Sequence, residues 1–167
     1  AVTDLLLSRN ALRRLNDRTF EGLSALEVLK LESNALDELP EHVFVALWAT
    51  LKKLTLAHNR LAVLQPTLFA NMSLLEELDL SGNYIAELPV GFFLSLKPRL
   101  RKLSLAVNKL NALQPGAFSG FLALDQLNLS SNAIVDLPLT VFAGSGAQLR
   151  SLDLSKNSIS VVPANVF

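Results

Sequence analysis

This sequence predicts a solenoid of the α/β class: a right-handed curved coil with a parallel β-sheet on its concave face and irregular or short helical segments on its convex face. Three observations predict it. An asparagine recurs at Asn10, Asn34, Asn59, Asn83, Asn108, Asn132 and Asn157. Each is preceded by aliphatic residues eight, five and three positions earlier, as Leu75, Leu78 and Leu80 precede Asn83. Ten residues after each asparagine stands a phenylalanine, at Phe20, Phe44, Phe69, Phe93, Phe118, Phe142 and Phe167. Self-similarity at a fixed period marks a repeat architecture. The pattern L-x-x-L-x-L-x-x-N runs through all seven units, with Val2 the sole substitute for a leucine.

Each position in the unit has a physical reason. The L-x-L pair alternates with period two, so both leucines point to one face of a short strand and the residue between them points away. The units follow one another about every 24 residues in one direction, so successive strands lie parallel and each return path runs on the far side. The asparagine sits where the chain leaves the strand, and its amide is placed to bond backbone groups that the turn leaves without partners. A further aliphatic two residues later (Leu12, Leu36, Leu61, Ile85, Leu110, Ile134, Ile159) and another three beyond that fill the interior behind the sheet. The phenylalanines read as a stacked spine on the convex side, since buried aromatic rings at strict periodicity carry packing. Pro40, Pro66, Pro89, Pro115, Pro138 and Pro163 precede them and argue against long regular helices there.

The spacing between asparagines alternates, 24, 25, 24, 25, 24, 25, so the full period is 49 residues. The additional residue falls between the phenylalanine and the first leucine of the next unit. Leu-Pro marks the longer units and Gln-Pro the shorter ones at Gln65 and Gln114.

These residues resemble the typical leucine-rich repeat of animal extracellular proteins, the class shared by Toll-like receptors, chaoptin-like adhesion proteins and small proteoglycans. The likeness covers residues 1–167 as one leucine-rich repeat domain of seven repeats. It implies a leucine-rich repeat solenoid, an extracellular or cell-surface location, and a role as a protein-recognition module of a receptor or adhesion protein, innate immunity included. The cysteine-rich caps that usually close such arrays do not occur, so the chain reads as an internal stretch whose end repeats expose leucines.

Composition narrows the function classes. Lysine and arginine number 15 and aspartate and glutamate 15, so no excess of positive charge offers a phosphate backbone or an anionic membrane a reason to bind, and no nucleic-acid partner is expected. Zero cysteines remove thiolate catalysis and cysteine zinc sites. No apolar run approaches the roughly 20 residues needed to span a bilayer, so no direct membrane insertion is expected. Neither a phosphate loop, a dinucleotide fingerprint nor a calcium loop is present, so no cofactor or metal is expected, and the chain reads as no enzyme. His58, Asp79 and Ser81 fall close enough in adjacent repeats to imagine a Ser-His-Asp grouping, but nothing supplies an oxyanion hole.

The concave wall is the expected partner-binding face. Lys30, Thr55, Asp79, Ser104, Asn128 and Asp153 fall between the paired leucines, and Lys53, Glu77, Lys102 and Gln126 lie two places before. Trp48 and Tyr84 are the loop candidates for binding hot spots, weighed against a simple covering role. A third row, Glu27, Lys52, Glu76, Arg101, Asp125 and Arg150, alternates in sign at every step, so lateral ion pairing on neighbouring strands is the expected structural reading. No aromatic residue projects from these rows. Seven strands at about 4.8 Å and an exposed width near ~15 Å give about 450 Å², against about 800 Å² per partner in a standard interface. Flanking loops or further repeats would therefore contribute. Asn71-Met72-Ser73 and Asn128-Leu129-Ser130 are N-glycosylation sequons, the first on the return side and the second on the concave strand. Two readings remain: a recognition module that binds a protein ligand, and a structural or assembly solenoid that self-associates with another repeat protein or acts as a spacer.

Overall fold

A computed structural model describes residues 1–167. Seven three-residue strands, β1 (Asp4–Leu6), β2 (Val28–Lys30), β3 (Lys53–Thr55), β4 (Glu77–Asp79), β5 (Lys102–Ser104), β6 (Gln126–Asn128) and β7 (Ser151–Asp153), form one parallel sheet in sequence order. Their register aligns the first leucine of every L-x-L pair, Leu5, Leu29, Leu54, Leu78, Leu103, Leu127 and Leu152. Thirty-nine buried residues form one cluster from Phe20 to Val166, so each coil packs on its neighbours instead of closing a core of its own. The helical part of the expected α/β class shrinks to two 3-10 turns, Val45–Leu47 and Leu94–Leu96. Each follows a Leu-Pro pair, and the space between proline and phenylalanine is too short for a regular helix.

The asparagines form a ladder through the backbone. Asn83 donates from Nδ2 to the carbonyls of Leu56 and Leu80, both at 3.0 Å, and its Oδ1 accepts the Leu61 N–H at 3.0 Å. Asn34, Asn59, Asn108, Asn132 and Asn157 repeat this arrangement, each bonding the coil before it. The residue ahead of each asparagine adopts left-handed φ, from Arg9 at 56° through Val107 at 55° to Lys156 at 53°.

On the opposite side the phenylalanine rings stack at about 6 Å, as Phe20 on Phe44 at 6.1 Å and Phe118 on Phe142 at 6.1 Å. The expected unbroken spine is interrupted once. Phe92 inserts between Phe69 and Phe93, at 5.1 Å and 5.0 Å, because the position before the phenylalanine, filled by buried Val43, Leu68 and Val141 in other coils, here carries a second ring. The 24/25 alternation has a structural meaning here. Shorter coils turn after the phenylalanine on a left-handed residue, Gly22, Asn71 or Gly120. The first two longer coils use their additional residue for a 3-10 turn that buries Leu47 or Leu96. The third longer coil turns on left-handed Gly144 as the shorter ones do, and buried Ser145 stands where the others bury a leucine; its Oγ–H donates to Phe118 O at 2.7 Å, and Oγ accepts the Phe121 N–H at 2.9 Å.

Candidate functional site

Because side chains alternate along a strand, the residues flanking each buried leucine face the inner wall. There they line a concave groove of about 530 Å³ that runs from β2 to β7. Lys30, Lys53, Thr55, Glu77, Asp79, Lys102, Ser104, Gln126, Asn128 and Asp153, all expected on this face, come together in it, and Ser151 joins them. Trp48 and Tyr84 do not. Trp48 lines a separate recess on the return side, and Tyr84 lies beside the asparagine ladder with the Lys109 ammonium 4.7 Å from its ring centroid.

The charged rows pair differently from the expected ladder. Lys52 meets Glu27 at 2.8 Å and Arg150 meets Asp125 at 3.6 Å, the first and last steps of the alternating row. In the middle, Glu76 and Arg101 make no ion pair within 4.0 Å. Glu77, one residue further along, instead takes Lys53 at 3.1 Å and Lys102 at 3.8 Å. Register explains the shift: Lys53, Glu77 and Lys102 are direct partners on adjacent strands, so one carboxylate lies between two ammonium groups. These pairs are half-exposed and individually weak. Lys30 has no carboxylate within 4.0 Å.

Sequence reasoning missed a second role for three of the groove residues. Asp79 Oδ1 accepts the Ser81 N–H at 2.9 Å, Asn128 Oδ1 the Ser130 N–H at 3.0 Å, and Asp153 Oδ1 the Ser155 N–H at 2.9 Å. These are turns closed by a side chain on its own backbone two residues later. The recurring Asp/Asn-Leu-Ser at 79–81, 128–130 and 153–155 was the available signal. The Ser155 hydroxyl and N–H hold the Asp153 carboxyl below the usual carboxylate range.

The imagined hydrolase grouping is not assembled. Asp79 spends Oδ1 on the Ser81 backbone, and the His58 imidazole covers the face of Gly82, where an added Cβ would collide with it.

With this geometry in hand, the comparisons define the class. The leucine rich repeat family matches residues 1–48, 49–97 and 98–159, so the chain belongs to the leucine-rich repeat proteins. The fold is similar to that of TLR13 in the TLR13-ssRNA13 complex, at 30% identity and TM-score 0.86 over 99% of this chain and 23% of that one. It is also similar to the Toll - Spatzle complex of Drosophila, at 26% identity and TM-score 0.87 over 99% of this chain and 22% of that one. The APL1 leucine-rich repeat domain matches at 27% identity and TM-score 0.80 over 91% of this chain and 39% of that one. The chain thus spans between about a fifth and two-fifths of these structures' lengths. No curated protein gives a significant sequence match. The expectation of no nucleic-acid partner finds no support here, since one neighbour is itself an RNA complex. No helix is long and apolar enough to cross a membrane.

Proposed function

We propose that this chain is a non-catalytic protein-recognition module of an extracellular or cell-surface receptor or adhesion protein, binding a protein ligand through the concave groove. The observation that carries this reading is the groove itself. Six strands converge side chains of both charges, hydroxyls and amides on one open groove of about 530 Å³. Fixed polar groups of both signs on a rigid sheet favour specificity over bulk affinity. Likeness to Toll and TLR13 supports the receptor setting. The concave wall, about 450 Å² at about 4.8 Å per strand, is smaller than a standard interface, so the Tyr84 flank, where the Lys109 ammonium lies 4.7 Å from the ring centroid, extends the contact surface.

The test is a screen of the chain against secreted and cell-surface proteins, followed by substitution. Lys102→Glu with Gln126→Arg is expected to weaken a true ligand about tenfold or more, about 1.4 kcal/mol. Thr140→Arg, outside the groove, is expected to leave it unchanged. A ligand indifferent to the groove substitutions, or a glycan on Asn128 in the native protein, would overturn the concave reading. Saturable, steeply salt-dependent binding of single-stranded RNA would replace the protein ligand with a nucleic acid.

A structural or assembly role is the second reading. Leu6, 62% exposed on the outward face of β1, favours it. Light scattering that shows concentration-dependent association, lost with Leu6→Glu, would support it.

A further inference from the structure

Trp48 is the chain's single tryptophan, and 41% of its surface is exposed. Its position recurs with the 49-residue period as Trp48, Lys97 and Gly146. Lysine follows the same 3-10 turn in the second longer coil and glycine holds the place in the third, so the fold has no need of an indole there. Yet Trp48 lines a recess of about 250 Å³, together with Phe44, Val45, Thr67 and Asn71. An aromatic surface left in water forgoes favourable burial unless something covers it.

The far wall of the recess is Asn71, in the place that Gly22 and Gly120 occupy in the other shorter coils. Its φ of 66° is left-handed, a conformation that asparagine tolerates better than most residues with a side chain. The backbone N–H of Asn71 is donated to Ser95 Oγ at 3.2 Å, which fixes the residue to the next coil. Its side-chain amide makes no hydrogen bond. One period later the corresponding pair is Lys97 and Gly120, where the lysine Nζ lies 3.8 Å from the position of a Cβ on the glycine. The two places therefore face each other across the coil boundary. Residues 71–73, Asn-Met-Ser, form a sequon whose first residue is exposed and whose Met72 is buried.

We propose that Asn71 carries an N-linked glycan and that its first N-acetylglucosamine packs on the Trp48 indole and fills this recess. Asn71 Nδ2 bonds to the anomeric carbon of an oligosaccharide supplied as its lipid pyrophosphate; the carbon–oxygen bond to the pyrophosphate breaks, and Nδ2 loses one proton. The sugar ring's polarised C–H groups meet the electron-rich indole face. Trp48 is then part of the glycan's seat and not a contact for a protein ligand. The inference rests on the extracellular reading for the native protein, because only the secretory pathway supplies the donor.

The test is arranged to separate the two. The full chain is secreted behind a heterologous leader from a eukaryotic host that makes high-mannose glycans, so the outcome is independent of where the native protein resides. Glycopeptide mapping is expected to find Asn71 occupied, and Asn71→Gln to lose that glycan mass. As the sole tryptophan, Trp48 reports the recess directly. Trimming to the first sugar is expected to leave its fluorescence and acrylamide quenching unchanged. Complete removal, or Ser73→Ala, which abolishes the sequon while keeping Asn71, is expected to shift emission to the red and raise quenching. An unmodified Asn71 in the secreted chain, or Trp48 emission indifferent to complete removal, overturns the proposal.

Discussion

The two turns of each coil close the same loop by different means. On one side, every turn uses an asparagine whose amide reaches the preceding coil's backbone, with a left-handed residue ahead of it. On the other side, a common phenylalanine is followed by a left-handed residue in shorter coils, by a 3-10 turn in two longer ones, and in the third by left-handed Gly144 and a buried serine. The difference follows from what each turn must satisfy. The asparagine side leaves backbone groups in a dry interior, and an amide at that position supplies both the donor and the acceptor they need. The phenylalanine side is held mainly by apolar contact, which several backbone routes deliver, with a polar bridge such as Ser145 added in places.

Removing the invariant solution is expected to have the largest effect. Asn83 is 4% exposed, and Asn83→Ala orphans the Leu61 N–H and takes one of two amide donors from each of the Leu56 and Leu80 carbonyls, which keep Asn59 and Asn108. About 3–5 kcal/mol of stability is expected to go, read as a lower denaturant midpoint; a loss near zero would mean that water substitutes for the amide. Next comes the variable side. Ser145→Ala removes the two hydrogen bonds that join Phe118 and Phe121 to the last longer coil. The expected cost is about 1–3 kcal/mol, and a cost as large as that of Asn83→Ala would erase the contrast between the turns. The smallest effect has the opposite sign. Val107 is β-branched at φ 55° and 55% exposed, so Val107→Gly relieves backbone strain while giving up little burial. A gain of about 0.5–1 kcal/mol is expected, seen as a raised thermal midpoint.

This contrast also explains how much was legible in advance. The strands, the inward leucines and the asparagine ladder follow from Leu-x-Leu and Asn recurring in register, because strand alternation and backbone satisfaction leave those residues few alternatives. The surface obeys no such constraint. Alternation of Glu27, Lys52, Glu76, Arg101, Asp125 and Arg150 promised a continuous ladder, but long solvated side chains choose among neighbours within reach, and Glu77 captured both central lysines. Charge sign was readable; partner choice was not. Ten of the named residues line the groove because a strand's outward positions are set by its inward ones. The second occupation of Asp79, Asn128 and Asp153 as turn-closing acceptors went unseen, because it is set two residues ahead within one repeat and not by the period between repeats. The Phe92 detour was hidden for a similar reason: only Phe93 stands ten residues after its asparagine, and packing alone brings the ring beside it into the spine.

The asparagine ladder has a mechanical consequence. Each amide clamps its own coil to the one before it, so a pull along the chain from the last coil loads these clamps one after another, not all at once. Under tension the solenoid is expected to unravel coil by coil. Each event would release 24 or 25 residues, or roughly 80 Å of contour at about 3.4 Å per residue. A receptor arm built this way would lengthen in even increments and limit the force passed to whatever it holds.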